Sequence, residues 1–172
     1  MQRMHTTRKI VLIAHNLRSC HNVGSLLRTA EGLGVTKVIL SGYTPYPLRP
    51  HDTRLPHEAQ KLHKQIHKTA LGAETQIAWE HTEDILAAMH TLKHEGYLIY
   101  TLEQTPDAQP LPGFNPPNHL AIIVGREVEG VEPEVIAAAD DSLDIPMHGQ
   151  KESFNVAAAA AMALYHCTFA DG

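Results

Sequence analysis

The chain has 172 residues, a mass of 19.0 kDa and a formal charge of −5 at neutral pH. A length of this order suits one compact domain, and no apolar run approaches the roughly 20 residues of a membrane-spanning helix. The charge is unevenly divided, because residues 1–68 carry 11 Lys and Arg against 3 Asp and Glu, whereas residues 69–172 carry 3 against 16. The acidic total therefore does not exclude a polyanionic partner for the amino-terminal part, whose net charge is +8.

Cysteine usage and the amino-terminal sequence indicate where the protein is found. Cys20 and Cys167 form neither a CxxC motif nor a disulfide framework, which favours a reducing compartment. The first nine residues are polar and contain no apolar segment typical of a secretory signal. We therefore expect a cytoplasmic protein without a membrane partner.

Short apolar runs alternate with helical patterns along the chain. The predicted strands are, in chain order, residues 10–14, 37–40, 75–79, 97–102, 120–124 and 143–145. The predicted helices are residues 22–33, 58–70, a segment that Thr82 caps and Gly96 ends, 133–139 and 153–169. Asn22 is expected to cap the first of these helices and Ser153 the last. A proline-rich loop over residues 43–56 interrupts the pattern.

About six alternations of strand and helix, with nearly continuous apolar strands, predict an α/β fold. The expected architecture is a parallel sheet with helices on both faces, formed by one domain over residues 1–172. Ligands of such sheets bind beyond the carboxyl ends of the strands, so the loops after residues 40, 102, 124 and 145 are the candidate site.

Several common sites are not supported by the sequence. No GxGxxG, P-loop or Gly-x-Ser-x-Gly motif follows a predicted strand. Two histidine pairs, His63 with His67 and His90 with His94, have a metal-binding spacing, but neither has the Glu of HExxH and both lie on Lys-bearing faces. Solvated helix faces explain these pairs better than a metal site.

Basic residues concentrate in the proline-rich loop and the helix that follows it. Lys61, Lys64 and Lys68 form one stripe at helical spacing, and Arg49 and Arg54 lie in the loop before them. A stripe of this kind suits a phosphate backbone. The alternative is a solvated helix face without a partner.

Three segments that follow predicted strands carry the remaining polar signals. Residues 16–31 hold Arg28, whose apolar neighbours favour a partly buried guanidinium over a surface salt bridge. Residues 121–131 hold Glu127, which either contacts a ligand or Arg28, or only favours a helix start. Residues 143–156 hold Ser153, which either caps the final helix or also holds a ligand.

Together these segments resemble the SpoU/TrmH family of SPOUT-class RNA ribose 2′-O-methyltransferases. The first family motif, N-x5-N-x-G-x3-R, is matched by Asn16, Asn22, Gly24 and Arg28. The second, G-x-E-x2-G, is matched by Gly125, Glu127 and Gly130. The third is matched by Ile145, Pro146, Met147, Gly149, Ser153, Phe154, Asn155 and Val156. The resemblance spans residues 10–170, with the three motifs in order.

The resemblance implies a deep carboxy-terminal trefoil knot, S-adenosylmethionine as cofactor, and a homodimer with its active site at the interface. Carried over by position, the cofactor pocket comprises Thr101, Leu102, Glu103, Gly125, Ile145, Met147, Ser153, Phe154 and Asn155. The residues 157–161 of the final helix, with Met162 and Leu164, are the expected dimer face, although helix propensity alone also explains the Ala run.

The resemblance also assigns the catalytic residues, which are Arg28, Asn22, Glu127, Ser153 and Asn155. Because a guanidinium stays protonated, we expect Arg28 primarily to orient the target phosphate and hydroxyl, and proton removal by Arg28 would require strong help from its neighbours. No metal is required, since the sulfonium already activates the methyl group. The expected RNA-binding residues are Arg18, Arg49, Arg54, Lys61, Lys64 and Lys68.

No appended RNA-binding domain is expected, and tRNA is favoured over rRNA as the substrate. Arg126 and Val128 replace the Asn and Gly that are commoner within the second motif. Two alternatives remain at this point: a catalytically inactive RNA-binding protein with the same fold, and an unrelated α/β enzyme that binds nucleotides or phosphate.

Overall fold

The computed structural model describes residues 7–171. The strands are β1 (Lys9–His15), β2 (Lys37–Ser41), β3 (Trp79–Thr82), β4 (Leu98–Leu102), β5 (Gln109–Pro110), β6 (His119–Val124) and β7 (Asp141–Asp144). The helices are α1 (Cys20–Gly32), α2 (Pro56–Ala70), α3 (Ile85–His94), α4 (Pro133–Ala138) and α5 (Val156–Phe169), with a 3₁₀ turn at Ala73–Thr75. No helix in this part of the chain is long and apolar enough to cross a membrane.

The seven strands form one sheet in the order β3-β2-β1-β6-β4-β7-β5, and every pairing is parallel. The predicted α/β class is therefore confirmed. β1 and β6 lie at the centre, and their residues 10–14 and 120–124 are buried. All carboxyl ends meet at one edge of the sheet, where the loops after β1, β2, β4, β6 and β7 gather.

Helices cover both faces of the sheet, as the continuous apolar strands predict. One apolar cluster joins α1, α2 and α5 to the sheet through residues such as Leu26, Ile66 and Leu164. The other joins α3 and α4 through Met89 and Val135. Alternate residues of β1 supply the two clusters, because successive side chains of a strand point to opposite faces.

Helices α1 and α2 approach each other closely at Gly24. A Cβ atom built on Gly24 would lie 2.0 Å from Oγ1 of Thr69 and 2.3 Å from the carbonyl oxygen of Ile66. Distances this short are incompatible with any side chain, so glycine is required here.

The structure corrects several predicted boundaries. The strand predicted over residues 75–79 is wrong, because residues 73–75 form a 3₁₀ turn and pairing with β2 begins only at Trp79. The cap of α1 is Ser19, whose Oγ accepts from the amide of Asn22 at 3.1 Å. The cap of α3 is Asp84, not Thr82.

The carboxy-terminal boundaries shift as well. Helix α5 begins at Val156 and is capped by Asn155, so the prediction that Ser153 caps it is wrong. The last predicted strand, 143–145, lies at Asp141–Asp144 instead. Strand β5 was not predicted, because a two-residue strand containing a proline leaves no periodic signal.

Candidate active site at the carboxyl edge of the sheet

A cavity of about 290 Å³ opens at the carboxyl ends of β4, β6 and β7. Three segments form its walls: residues 102–104 at the end of β4, residues 124–130 at the end of β6, and residues 143–145 with 152–154 and Val156 around the loop before α5. Two of these walls are the second and third sequence motifs. The topology, not the sequence separation, brings them together, since β4 lies between β6 and β7 in the sheet.

The second motif forms a tight loop along one wall of this cavity. Arg126 and Gly130 exchange two backbone hydrogen bonds, of 3.2 and 3.0 Å, which leaves Val128 at the exposed tip. A Cβ on Gly125 would lie 2.7 Å from the backbone of Gly130, so the two ends of the loop touch without side chains between them. The spacing of the two glycines is thus a requirement of this loop.

Glu103 holds the same loop from the neighbouring strand. Its Oε1 accepts a hydrogen bond from the amide of Val131 at 2.8 Å. Gly130 has φ +73°, and a Cβ there would lie 1.9 Å from Oε1 of Glu103. The carboxylate therefore occupies space that only a glycine at position 130 leaves open, and the cavity wall depends on both residues.

Most of the nine predicted cofactor residues line the cavity. Six line the cavity: Leu102, Glu103, Gly125, Ile145, Ser153 and Phe154. Thr101 is buried beneath it and shares a 2.6 Å hydrogen bond with Ser142. Met147 lies beside the cavity, where Sδ accepts from Nε2 of Gln104 at 3.9 Å, and Asn155 faces α1.

Asn22 and Asn155 meet although 133 residues separate them. Nδ2 of Asn155 donates to Oδ1 of Asn22 at 3.3 Å, while Oδ1 of Asn155 accepts from the amides of Ala157 and Ala158. Asn22 is buried, with an exposed fraction of 8%. The first and third motifs are therefore joined through the amino terminus of α5.

Glu127 has a different contact from those expected. Its Oε1 accepts from the amides of Arg18 and Ser19, both at 3.2 Å. These amides belong to the turn that leads into α1, so Glu127 fixes the start of the helix that carries Arg28. Among the described residues it makes no direct contact with the guanidinium.

Arg28 lies on the exposed face of α1, and the expectation of a partly buried guanidinium is wrong. Leu26, Leu27 and Ala30 are buried because they face the sheet, whereas position 28 faces away from it. Arg28 makes no hydrogen bond or ion pair within residues 7–171 and does not line the cavity of its own chain. Its charge is available to a ligand or another chain.

A buried polar network next to the second motif was not recognised in the sequence. Nδ1 of His15 lies 2.8 Å from Oγ of Ser41, and Nε2 lies 3.1 Å from Oε2 of Glu132. Nδ2 of Asn16 donates to Oε1 of Glu132 at 2.8 Å, and its Oδ1 accepts from the amide of Tyr43. The first asparagine of the first motif thus organises the loops after β1 and β2.

Burial and contacts shift the pKa values of this network in a consistent way. Burial lowers the pKa of His15 below its usual 6.5, so the ring is neutral at neutral pH despite the adjacent carboxylate. Burial alone would raise the pKa of Glu132, but the hydrogen bond from Asn16 and the charge of Arg126 keep it below its usual value. Glu132 therefore stays ionised.

The six predicted RNA-binding residues divide into free and committed cations. Lys61, Lys64, Lys68 and Arg18 are exposed. Arg49 is half-buried, with its guanidinium 4.9 Å from the centre of the Tyr46 ring. Arg54 is structural: it pairs with Asp52 through two hydrogen bonds, donates to the carbonyls of Tyr46 and Pro47, and stacks on the Tyr46 ring at 3.6 Å.

The histidine pairs have non-metal roles where the structure gives them partners. His63 accepts through Nδ1 from the amide of Leu48, and His67 pairs with the buried carboxylate of Glu74. Within residues 7–171 no three His, Cys, Asp or Glu side chains form a group able to hold a metal ion.

The outer face of α5 is apolar and exposed. Met162 is 37% exposed, and Tyr165 and Phe169 are each 61% exposed with their rings 4.8 Å apart. The expectation that Leu164 adds to this face is wrong, because Leu164 packs into the core of its own chain. The exposed aromatic pair takes its place.

A family model described as the SpoU rRNA methylase family matches residues 9–165 of this chain. The chain belongs to this family. The match covers all three motifs and every strand of the sheet, so the resemblance inferred from the motifs is confirmed.

Curated relatives are similar over most of this chain. A 23S rRNA (guanosine(2553)-2′-O)-methyltransferase of Bacillus subtilis is 29% identical over 96% of this chain and 60% of its own length. A tRNA (guanosine(18)-2′-O)-methyltransferase of Borreliella burgdorferi is 26% identical over 92% of this chain and 66% of its own length. The chain thus spans less than two thirds of the length of these two relatives.

Solved structures have the same fold. The SpoU methyltransferase AviRb of Streptomyces viridochromogenes, in complex with the cofactor AdoMet, has a TM-score of 0.76 at 17% identity and is covered over 57% of its chain. A structure described with the 2-OH methylation of C/U34 on tRNA has a TM-score of 0.70 at 22% identity, and the match covers 92% of this chain and 93% of that one.

Proposed function

We propose that this protein transfers a methyl group from S-adenosylmethionine to a ribose 2′-hydroxyl of RNA. The observation that carries the proposal is the convergence of the motif segments: the second and third line one cavity, and Asn22 of the first contacts Asn155 beside it. Membership of the SpoU family and relatives named as 2′-O-methyltransferases support the same activity.

The cavity suits a cofactor that carries a sulfonium charge. Its lining contains one cation, Arg126, and five carboxylates, which are Glu103, Glu127, Glu129, Asp144 and Glu152. Apolar side chains of Leu102, Ile145 and Phe154 offer surface for an adenine ring. The residues present therefore fit S-adenosylmethionine, and the binding of AdoMet by AviRb supports this assignment.

The bound cofactor supplies an electrophilic methyl group, and the protein supplies position and charge. The cofactor would be held by residues 102–103, Gly125, Ile145 and residues 153–154. Arg28 stays protonated and orients the phosphate and ribose of the RNA by charge-assisted hydrogen bonds. The hydrogen bond between Asn22 and Asn155 fixes α1 against the start of α5, at the carboxyl edge of the sheet. Glu127 fixes the start of α1. Holding both reactants in this way accounts for much of the rate enhancement, and no metal is part of the proposal.

A homodimer is part of the proposal because Arg28 does not line the cavity of its own chain. The apolar face of Met162, Tyr165 and Phe169 is the proposed contact between two copies. The partner's α1 would then bring its Arg28 to the cavity. Arg28→Ala protein is mixed with Gly130→Ala protein at a cofactor concentration too low to load the Gly130→Ala cavity. Mixed dimers then regain activity only if one site uses both chains.

We further propose that tRNA is the substrate and that Lys61, Lys64, Lys68 and Arg18 contact its backbone. Relatives act on either tRNA or rRNA. The solved structure described with the 2-OH methylation of C/U34 on tRNA, which matches 92% of this chain, supports tRNA. Arg54 is left out of this surface, because its donors are committed to the loop. We also propose that the site and its RNA surface belong to one domain. The proposed location of the protein is the cytoplasm.

The carboxy-terminal trefoil knot is also proposed. Leu111 and Phe114 pack in the same apolar cluster as α5, and the ring of His166 donates to the carbonyl of Phe114 at 2.8 Å. The segment that holds Leu111 and Phe114 therefore contacts α5. In the proposed knot, the chain that leads from β7 to α5 passes beneath this segment.

The test of the proposed activity is incubation with labelled S-adenosylmethionine and separated tRNA and rRNA fractions. Label in tRNA supports methyl transfer with tRNA as the substrate, and label in rRNA alone supports the activity with the other substrate. Cofactor binding without label in any RNA would favour the inactive RNA-binding protein instead.

A further inference from the structure

Asp144, which lines the cavity, has a buried carboxylate oxygen without a hydrogen-bond partner among residues 7–171. Oδ1 of Asp144 is buried and accepts no hydrogen bond from residues 7–171, and Asp144 forms no ion pair among them. The other buried side-chain oxygen of this kind in the described residues, Oε2 of Glu132, lies 3.1 Å from Nε2 of His15. Asp144 thus stands apart, because no cation or donor of the protein compensates its desolvation.

An unpartnered carboxylate oxygen is costly to bury. Such an atom is rare in native proteins, and Asp144 also lines the cavity, which together point to a ligand. Neither of the cavity motifs accounts for the carboxylate, since the third motif begins one residue later, at Ile145.

The backbone presents Asp144 rigidly. Its carbonyl oxygen accepts from the amide of Leu111 at 2.7 Å, and it pairs with Pro110 across β5 and β7. The preceding residue, Leu143, is fully buried and pairs with Leu102 of β4. The carboxylate therefore cannot reach a protein donor by a shift of the strand, and a donor must come to it.

We propose that Asp144 accepts a hydrogen bond from an N–H or O–H group of S-adenosylmethionine, and so acts as a cofactor-binding residue. The inference rests on the proposed function. The carboxylate could accept from either an amino or a hydroxyl group of the cofactor, since both are hydrogen-bond donors. The proposal also explains why the free protein keeps a buried oxygen without a partner.

The proposal predicts opposite effects of one substitution on stability and on binding. Asp144→Leu replaces the carboxylate by an apolar group of similar size, which removes the desolvation cost in the free protein. We expect a higher unfolding temperature without cofactor and a loss of about 10- to 100-fold in affinity for S-adenosylmethionine. Asp144→Asn keeps one oxygen acceptor without the charge and should lose less affinity.

Asp141→Asn is the matched control on the same strand. Both carboxylate oxygens of Asp141 already accept hydrogen bonds, from Nε2 of Gln109 and the amide of Ser142, and Asp141 does not line the cavity. This substitution should lower the unfolding temperature and leave cofactor affinity unchanged. The control thus reverses the pattern expected for Asp144→Leu.

The experiment is a calorimetric titration of each full-length variant with S-adenosylmethionine and with S-adenosylhomocysteine, together with thermal unfolding of the free proteins. Both ligands carry the same N–H and O–H donors, so the proposal expects a loss of affinity for both. A loss confined to S-adenosylmethionine would overturn it, because the carboxylate would then respond to the sulfonium charge. Affinity of Asp144→Leu within twofold of wild type, or a lowered unfolding temperature, would overturn it too. A wild-type protein that binds neither ligand would contradict the proposed function itself.

Discussion

Asn155 donates a hydrogen bond from Nδ2 to Oδ1 of Asn22 at 3.3 Å, and this contact joins the first motif to the third. The same side chain caps α5 through Oδ1. Asn22 lies on α1, whose start Glu127 fixes and whose exposed face carries Arg28. The cavity lining, the last helix and the proposed substrate-orienting helix are therefore one connected unit.

Substitution of Gly130 tests the wall of the cavity. In Gly130→Ala the new Cβ would lie 1.9 Å from Oε1 of Glu103, on a residue with φ +73°. We expect the loop to move and cofactor affinity to fall at least about tenfold, which titration calorimetry measures. Gly34→Ala is the control, because Gly34 has φ +70° but nothing within 4 Å of its Cβ. The control should lose about 1 kcal/mol of stability and no affinity. Equal cofactor affinity in the two variants would contradict this role of Gly130.

A second glycine pair, within α1, tests the contact between helices. Gly24→Ala places a Cβ 2.0 Å from Oγ1 of Thr69, so we expect a loss of about 1–3 kcal/mol in the free energy of unfolding. Gly32→Ala meets nothing within 4 Å and should gain about 0.5 kcal/mol from helix propensity. Denaturant titration of both variants gives the comparison. A Gly24→Ala protein as stable as wild type would show that α1 and α2 are not so close.

Acid stability should depend on the pair of Asp52 and Arg54. The hydrogen bond from Arg54 holds the pKa of Asp52 well below its ordinary 3.8. A folded-state pKa below the unfolded value gives stability that is present above about pH 4 and is lost as the pH falls further. Asp52→Asn should therefore lower the denaturation midpoint at pH 7, and its difference from wild type should shrink at pH 3. Asp107→Asn, in an exposed loop, serves as the control, and a pH-independent difference for Asp52→Asn would contradict the assignment.

The proposed RNA surface predicts a specific change in salt dependence. Replacing Lys61, Lys64 and Lys68 with Ala should weaken RNA binding and reduce the slope of log affinity against log salt by about 2 to 3, since each phosphate contact contributes about 0.7 to 0.9. Lys93→Ala on α3, at the opposite face of the sheet, should leave the slope unchanged. Titration of labelled tRNA at several salt concentrations measures both. An unchanged slope in the triple variant would place the RNA elsewhere.

The elements with strong periodicity were predictable from the sequence. Residues 10–14 and 120–124 are apolar throughout because both faces of their strands are covered. The 75–79 error has a physical cause: Ile77 and Trp79 alternate as in a strand, but buried Glu74 pairs with His67 and holds a 3₁₀ turn before the strand begins. Periodicity does not detect a tertiary ion pair.

Residue types in the site were predictable, but their contacts were not. The motifs identified Glu127, yet its bonds to two backbone amides depend on where β6 lies beside β1. The composition of residues 49–68 suggested five cations for RNA, whereas Arg54 is committed to Asp52 and Tyr46. Asp144 gave no signal at all, because its missing partner is visible only when the folded cavity is seen.

The position of the transferred methyl group tests the central claim most directly. Wild-type protein, Arg28→Lys and Arg28→Ala are incubated with labelled S-adenosylmethionine and tRNA, and the product is hydrolysed with alkali, which spares the linkage after a 2′-O-methylated ribose. We predict label in an alkali-resistant dinucleotide for wild type, a strongly reduced amount for Arg28→Lys, and none for Arg28→Ala, with cofactor affinity unchanged in all three. Label on a base, or full transfer by Arg28→Ala, would contradict the account.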